Sequence, residues 1–148
     1  YPYEQALRVP LIVFDPRLEA SQRGAARDEL VLNIDVTPTI LAAAGVEAPK
    51  AMQGRDMSPL YLAEDPPAWR DEFFYEHPTI SNKNRIPTSY AVVRRDMKYV
   101  FWPEFDYEQL FDLKADPTEL LNLADNPAHA DTLRQFREKL HAWRESVR

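Results

Sequence analysis

The sequence YAVVRRDMKYVFW, residues 90–102, contains two short runs rich in aromatic and β-branched residues. These runs, Tyr90–Arg95 and Lys98–Trp102, are joined by a short connection around Arg95-Asp96-Met97. Aromatic and β-branched side chains suit the pleated, half-buried surface of a sheet. The pattern therefore predicts two neighbouring antiparallel strands.

Two more runs of the same kind lie on either side of this pair. Glu72–His77 precedes it, and Glu108–Leu113 follows it after a short connection at Pro103–Tyr107. Consecutive short strands of this composition are typical of an antiparallel meander. We therefore predict a small four-stranded antiparallel sheet in the C-terminal half.

A long helix is predicted after the strands. Asn126-Pro127 supplies a capping side chain followed by a proline at the first helical position. Beyond it, apolar residues recur at steps of three and four, at Leu133, Phe136, Leu140, Trp143 and Val147. A single apolar stripe of this kind nearly always faces a core, here the sheet.

The N-terminal half has a different pattern. Val9–Phe14 is a continuous apolar run between prolines, which predicts a strand buried on both faces in a parallel sheet. Residues 33–45 predict a helix in which Asp35 caps the free amides and Gly45 takes the left-handed C-terminal position. Ser58–Ala63 is predicted to form one short helix. Strand and helix together indicate the closing part of an α/β layer.

The paired prolines Pro66-Pro67 mark a predicted boundary, because they stiffen a linker and interrupt both helix and strand. The predicted domains are residues 1–67 and 68–148. Tyr1 is not Met and a strand-like run follows almost at once, so we expect the chain to be cut from a longer one.

Composition excludes several classes of protein. The 24 acidic residues exceed the 18 basic ones for a formal charge of −6, which argues against a nucleic-acid partner. No window approaches the run of about 20 apolar residues that a membrane helix needs. The absence of cysteine excludes a disulfide scaffold, a thiolate zinc site and a cysteine nucleophile within these 148 residues.

No catalytic or metal-binding set emerges from the residues themselves. The three histidines, His77, His129 and His141, lie far apart in sequence and match no metal-ligand spacing. The serines lack a nucleophile elbow. Four acidic residues lie beside predicted turns and caps, where carboxylates commonly accept hydrogen bonds from local backbone amides. They are Asp112, Asp116, Glu119 and Asp125.

One segment has the composition of a binding site. His77 closes a strand-like run and opens the loop Thr79–Thr88, which carries Asn82, Lys83, Asn84 and Arg85. A strand end followed by a polar, cationic loop suits an anionic or sugar-like ligand. The alternative is a solvated loop after an ordinary strand-end histidine, and residue chemistry alone leaves both open.

An ordered series of short blocks runs along almost the whole chain. It begins with YEQALRVPLIV at 3–13, and continues with residues 33–41 and 44–46, and then 52–56 and 58–60. The C-terminal half continues the series with WRD at 69–71, FYEH at 74–77, VR at 93–94, KY at 98–99, EQLFDL at 108–113, DPTE at 116–119 and NLA at 122–124. In order and spacing these blocks resemble the C-terminal portion of type I sulfatases, in the alkaline phosphatase superfamily, where the first block follows the catalytic core.

The resemblance implies an architecture and an activity. It implies an α/β protein in which residues 1–67 end a large catalytic domain with a mixed sheet, and residues 68–148 form a small subdomain. The small subdomain would have an antiparallel sheet and a long terminal helix. The parent would hydrolyse sulfuric esters, including those of sulfated carbohydrates, with a formylglycine made from Cys or Ser and a bound calcium ion.

Neither the nucleophile motif nor the metal ligands of that family match any position here, so we expect no catalytic or metal residue and no activity from the chain alone. Its expected partners are the upstream catalytic part and a sulfated small molecule or carbohydrate. A strand separated from its sheet is also expected to favour self-association. The resemblance implies a periplasmic, secreted or lysosomal parent, although the sequence itself does not fix a compartment.

The resemblance also strengthens one site hypothesis. In many relatives the position after Phe-Tyr-Glu borders the substrate pocket, so it implies a substrate contact at His77, with Asn84 and Arg85 on the following loop. Arg8 and Glu4 are expected to form structural ion pairs. Two alternatives stay open: part of a phosphonate or phosphate ester hydrolase of the same superfamily, and a non-catalytic carbohydrate-contacting or interaction module.

Overall fold

A computed structural model describes residues 1–79, 82 and 84–147. The helices are α1 (Glu4–Leu7), α2 (Val36–Ala43), α3 (Pro59–Leu62) and α4 (Ala130–Ser146), with 3-10 turns at Ala20–Gln22, Asn33–Asp35 and Pro127–His129. The strands are β1 (Glu72–His77), β2 (Ser89–Arg94), β3 (Met97–Trp102) and β4 (Tyr107–Asp112). The chain divides into two compact units, Tyr1–Leu11 with Asp71–Arg148, and Ile12–Arg70.

The first unit contains the predicted sheet. Its four strands lie in the order β1-β2-β3-β4, and each pair is antiparallel. The register places Val92 opposite Tyr99 and Tyr99 opposite Leu110. The predicted four-stranded antiparallel sheet and long terminal helix are confirmed, with strand ends displaced by a single residue at β2, β3 and β4.

One face of the sheet packs against α4. Val92, Tyr99 and Leu110 form a buried cluster with Leu133, Phe136 and Leu140 of the helix. Trp143 extends the contact, since its ring stacks on Phe74 with centroids 4.9 Å apart. Val147 is 54% exposed and lies after the last helical residue, so the apolar stripe ends one member earlier than predicted.

A charged pair fastens the helix to the same face. Arg137 on α4 donates from Nε to Glu108 on β4 at 2.8 Å, and the Tyr99 hydroxyl donates to the same carboxylate. These hydrogen bonds, Arg137 first, outweigh desolvation and lower the pKa of Glu108. Burial raises the pKa of Tyr99, and its bond to Glu108 raises it further. Tyr99 is therefore a neutral donor at any ordinary pH.

The N-terminal residues cover part of the opposite face. Ala91, Val93, Val100, Trp102 and Phe111 form a second buried cluster, and Tyr3 and Leu7 pack against it. The sheet therefore has apolar side chains on both faces. Alternation along β1 assigns Phe74 to the helix side and Phe73 and Tyr75 to the N-terminal side.

The second unit is built around Asp35, which is fully buried. Its carboxylate accepts from the backbone N–H groups of Leu32 and Arg55, at 2.8 Å each, and is paired with both terminal nitrogens of Arg70. Burial alone would raise the pKa of Asp35, but these donors more than compensate and the net shift is downward. The prediction that Asp35 caps the free amides of α2 is wrong, because its carboxylate is committed to Arg70 and to backbone outside that helix.

Two glycines of this unit carry backbone constraints. Gly45 ends α2 with φ +70°, the left-handed conformation predicted for it. Gly54 lies so close to the chain that an added Cβ would be 2.0 Å from the Ile34 carbonyl oxygen. The backbone around Asp35 is therefore packed too tightly to accept a side chain at residue 54.

Val9–Phe14 does not form the predicted strand. None of the described residues pairs with it, and Ile12 and Phe14 are 92% and 89% exposed. A strand needs the hydrogen bonds of a neighbour, and the part of the chain that the structure describes supplies none here. The division at residue 67 and the assignment of residues 1–67 to a larger domain stay predictions.

Among the helices of the described residues, none combines the length and the apolar character needed to cross a bilayer.

Replacing Phe136 tests the contact between α4 and the sheet. Phe136 is 2% exposed, so Phe136→Ala should lower the free energy of unfolding by about 3–5 kcal/mol. Arg134→Ala, on the exposed side of the same helix, should change it by less than about 0.5 kcal/mol. Urea unfolding of the chain measures both, and equal losses would show that α4 packs by a different face.

Acid titration tests the buried Asp35. A carboxyl whose pKa is lower in the folded than in the unfolded state stabilises the fold at neutral pH, and this contribution is lost as the pH falls through the folded value. We expect it to be complete above the ordinary value of 3.8 and to decline below it. Asp35→Asn should be less stable at pH 7 and lose less stability between about pH 4 and pH 2. Parallel stability curves for the two proteins, recorded by thermal unfolding, would contradict this.

Candidate functional site

His77 is the last residue of β1 and pairs with Ser89 of β2. Its side chain shares a sheet face with Phe73 and Tyr75 and is half-buried. Its Nδ1 atom is buried and has no hydrogen-bond partner among the described residues. Buried polar atoms are nearly always hydrogen-bonded in folded proteins, so this unpartnered nitrogen is an exception, and it marks the end of β1 as a candidate site.

Asn84 and Arg85 lie in a turn whose backbone is fixed while their side chains are exposed. The Asn82 carbonyl accepts from the N–H groups of Arg85 and Ile86 at 3.0 Å each. The Asn82 side chain accepts from the N–H of Asn84 at 2.9 Å. The turn therefore presents an amide and a guanidinium to solvent. Lys83, the other cation noted in this loop, is outside the described residues.

The N-terminal residue reaches this turn. The Tyr1 hydroxyl donates to the Arg85 carbonyl at 2.6 Å, and the Tyr1 ring lies 5.8 Å from that of Trp102 at the end of β3. Trp102 Nε1 donates in turn to Gln109 Oε1 at 2.9 Å, and the Tyr3 hydroxyl donates to the same oxygen at 3.0 Å. Aromatic rings and amide groups thus connect the Arg85 turn to the sheet face that carries His77.

The structure shows no hydrogen bond from His77 to Asn84 or Arg85, all three of which it describes. They share the connection between β1 and β2, with His77 at its start and the turn in its second half. A ligand would have to bridge them. The candidate site consists of one half-buried ring and two exposed polar side chains, and its role in binding stays a prediction.

A buried ion cluster holds α1 on the sheet. Lys98 of β3 is fully buried, and its Nζ donates to Glu4 Oε1 at 2.7 Å and to Glu119 Oε1 at 2.8 Å. The backbone N–H of Glu4 donates to the other Glu119 oxygen at 2.6 Å. Glu119 adopts φ +58°, a left-handed conformation unusual for a residue with a side chain. The expected structural ion pair of Glu4 is present, with Lys98 as its partner.

Sequence reasoning missed Lys98. The available signal was a lysine within a run of five aromatic, β-branched and sulfur-containing residues, MKYVFW, where alternation points position 98 into the core. Of the four acidic residues predicted to lie beside turns and caps, Asp112 and Asp116 accept hydrogen bonds from local backbone amides as predicted. Glu119 instead pairs with Lys98.

The described residues contain no group of three or more His, Cys, Asp or Glu side chains arranged to hold a metal ion. The chain also has no cysteine from which a formylglycine could be made. Among the described residues, therefore, the side chains around His77 offer hydrogen-bonding groups but no set of metal ligands.

The chain belongs to a sulfatase family. Residues 1–146 match the family model described as N-sulphoglucosamine sulphohydrolase, C-terminal. The fold and the family together define the class of protein: the C-terminal portion of a sulfatase, in the alkaline phosphatase superfamily. The resemblance predicted from the ordered blocks is confirmed.

Individual relatives agree with this class. The chain is 29% identical over 95% of its length to an N-acetylglucosamine-6-O-sulfatase of Bacteroides thetaiotaomicron, and covers 25% of that protein. It is 35% identical, also over 95%, to the multifunctional alkaline phosphatase superfamily protein PehA of Trinickia caryophylli, and covers 29% of it. The chain therefore spans about a quarter of the length of the curated relatives it matches.

Solved structures show the same relationship. The fold matches that of a protein solved in complex with its own substrate, D-glucosamine-2-N,6-O-disulfate. The TM-score is 0.74 and the identity 26%, over 82% of this chain and 25% of that one. The fold also matches a phosphonate monoester hydrolase from Silicibacter pomeroyi, with a TM-score of 0.69 and 25% identity over 83% of this chain and 26% of that one.

Replacing Lys98 tests the buried cluster. Lys98→Met keeps the length of the side chain but leaves the buried Glu119 carboxylate without its cation, so it should lower the free energy of unfolding by about 3–5 kcal/mol. Lys139→Met is the matched control, because Lys139 pairs with Glu72 on the surface with 44% of its side chain exposed. It should cost at most about 1 kcal/mol. Chemical denaturation of both variants would reject the anchoring role if the two losses were equal.

Proposed function

We propose that this chain is the C-terminal part of an enzyme that hydrolyses sulfate esters of sulfated carbohydrates. The observation that carries the proposal is the family match across residues 1–146. The sugar class is supported by the names of two relatives, one an N-acetylglucosamine-6-O-sulfatase and one bound to a disulfated glucosamine.

In this proposal the catalytic groups lie in the upstream part of the same polypeptide. That part would supply the formylglycine, which would attack the sulfur of the ester, and would hold the calcium ion. The division proposed for this chain is residues 1–67 as the end of the catalytic domain and residues 68–148 as the small subdomain. The chain by itself would release no sulfate, because it contains neither group.

The role of the small subdomain would be to bind the part of the substrate beyond the sulfate ester. His77 offers a half-buried imidazole ring, a group that can exchange hydrogen bonds with a sugar hydroxyl. Asn84 offers an amide that both donates and accepts. Arg85 carries a planar cation that matches the oxygens of a second sulfate group. Such contacts would orient the ester and exclude water.

Kinetics of the full-length enzyme test this role. His77→Ala should raise the KM for glucosamine 6-sulfate about tenfold, equivalent to about 1.4 kcal/mol of binding, with little change in kcat. Activity on 4-nitrophenyl sulfate, which has no sugar, should be unchanged. His141→Ala is the control, because His141 lies on the exposed side of α4 with 75% of its side chain accessible. Unchanged KM for the sugar in His77→Ala would remove His77 from the site.

A second candidate function has its own support. The fold match to a phosphonate monoester hydrolase and the likeness to a multifunctional superfamily member favour phosphonate or phosphate ester hydrolysis. Comparing kcat/KM of the full-length enzyme for 4-nitrophenyl sulfate and 4-nitrophenyl phenylphosphonate separates the two candidates. A preference of more than about a hundredfold for the phosphonate would reject the sulfatase assignment.

A further inference from the structure

The two ends of the connection between β1 and β2, at Thr79 and Thr88, are hydrogen-bonded to each other and to Glu104. None of these three residues belongs to the proposed binding surface. The backbone N–H of Thr79 donates to the Thr88 hydroxyl at 3.2 Å, and the two threonine hydroxyls lie 3.1 Å apart. Glu104, in the connection between β3 and β4, accepts from the Thr79 hydroxyl and from the Thr88 N–H at 3.0 Å each. One carboxylate oxygen thus joins the two ends of the loop to a third segment.

The turn inside this loop has a separate attachment. The Tyr1 hydroxyl holds the carbonyl of Arg85, and Asn82 closes the turn through its own carbonyl and side chain. Fixing the base through Glu104 and the turn through Tyr1 restricts where the side chains of Asn84 and Arg85 can reach. Restriction of this kind lowers the entropy lost when a ligand binds.

Glu104 is suited to holding a loop rather than to stabilising a core. It is an exposed residue, and its hydrogen-bond partners among the described residues are Thr79 and Thr88. Its hydrogen bonds with Thr88 and Thr79 lower the pKa of Glu104 to about 2. It is therefore ionised at any working pH, and an ionised acceptor makes stronger hydrogen bonds than a neutral one.

We propose that Glu104 is a positioning residue, which acts through Thr79 and Thr88 to fix the loop that presents Asn84 and Arg85 to the substrate. The inference rests on the proposed function, in which Asn84 and Arg85 contact the non-sulfate part of a sulfated sugar. Glu104 itself touches no substrate. Its effect is on the position of the loop that carries Asn84 and Arg85.

Paired threonine variants of the full-length enzyme provide the test. Thr88→Val removes the hydroxyl and keeps the shape, whereas Thr88→Ser keeps the hydroxyl. Thr88→Val and Glu104→Ala should each raise the KM for glucosamine 6-sulfate about tenfold, with kcat within about twofold of the parent. Thr88→Ser should retain the parent KM. With 4-nitrophenyl sulfate, which offers nothing for the loop to contact, all variants should match the parent.

A measurement independent of activity accompanies the kinetics. Arg85 is a trypsin site in an exposed turn, and cleavage there requires the turn to open. Cleavage after Arg85 should be several-fold faster in Glu104→Ala and Thr88→Val than in the parent and Thr88→Ser. The thermal midpoint of unfolding should be the same in all four proteins.

Three outcomes would overturn the inference. The first is Thr88→Val behaving as the parent in both KM and cleavage. The second is an equal loss of turnover on both esters together with a lower unfolding midpoint, which describes a structural role. The third is faster cleavage of Glu104→Ala and Thr88→Val without a change in their KM, when Arg85→Ala does raise the KM. If Arg85→Ala and His77→Ala also leave KM unchanged, the proposed function itself fails.

Discussion

The ion cluster at Lys98 is the interaction on which the first unit depends. A lysine ammonium buried in a sheet is costly to desolvate, and only close oppositely charged partners offset that cost. Here both partners come from outside the sheet: Glu4 from the N-terminal helix and Glu119 from the segment after β4. The direct bond between Glu4 and Glu119 closes the arrangement. A short helix of four residues, too short to be stable alone, is thereby held against a sheet that lies far from it in sequence.

The second unit is organised by the same principle with the charges reversed. There the buried group is the Asp35 carboxylate, and the cation that pairs with it is Arg70 at the end of the unit. In both units the buried charge fixes which segments meet, and in the first unit two apolar clusters pack on the two faces of the sheet beside it. The two ion pairs therefore specify how the segments of each unit are arranged.

Local patterns were sufficient to predict the elements, and insufficient to predict the contacts. The four strands and the terminal helix follow from side-chain alternation and from three- and four-residue periodicity, which depend on neighbours in sequence. The left-handed Gly45 follows from its position after a helix. Asp35 was misassigned because its nearest explanation was a local cap, whereas its main partner lies 35 residues away.

In the candidate site, too, the residues marked by local pattern could be predicted and those that depend on distant contacts could not. His77, Asn84 and Arg85 could be selected from the sequence because they are polar residues next to a strand end. Glu104 could not, since its role depends on a meander that brings residue 104 against Thr79 and Thr88, 25 and 16 positions away. Val9–Phe14 illustrates the converse. Its composition is that of a buried strand, yet pairing depends on a neighbour that the sequence of this segment does not specify.

The left-handed backbone of Glu119 limits how this region can be engineered. A search for stabilising substitutions would select glycine at a φ of +58°, because glycine adopts that conformation without strain. Glycine would relieve the backbone and at the same time deprive Lys98 of a carboxylate. Aspartate tolerates the conformation better than glutamate but is one methylene shorter. Residue 119 therefore combines two demands that no single alternative amino acid satisfies, and backbone-based optimisation of this domain should leave it unchanged.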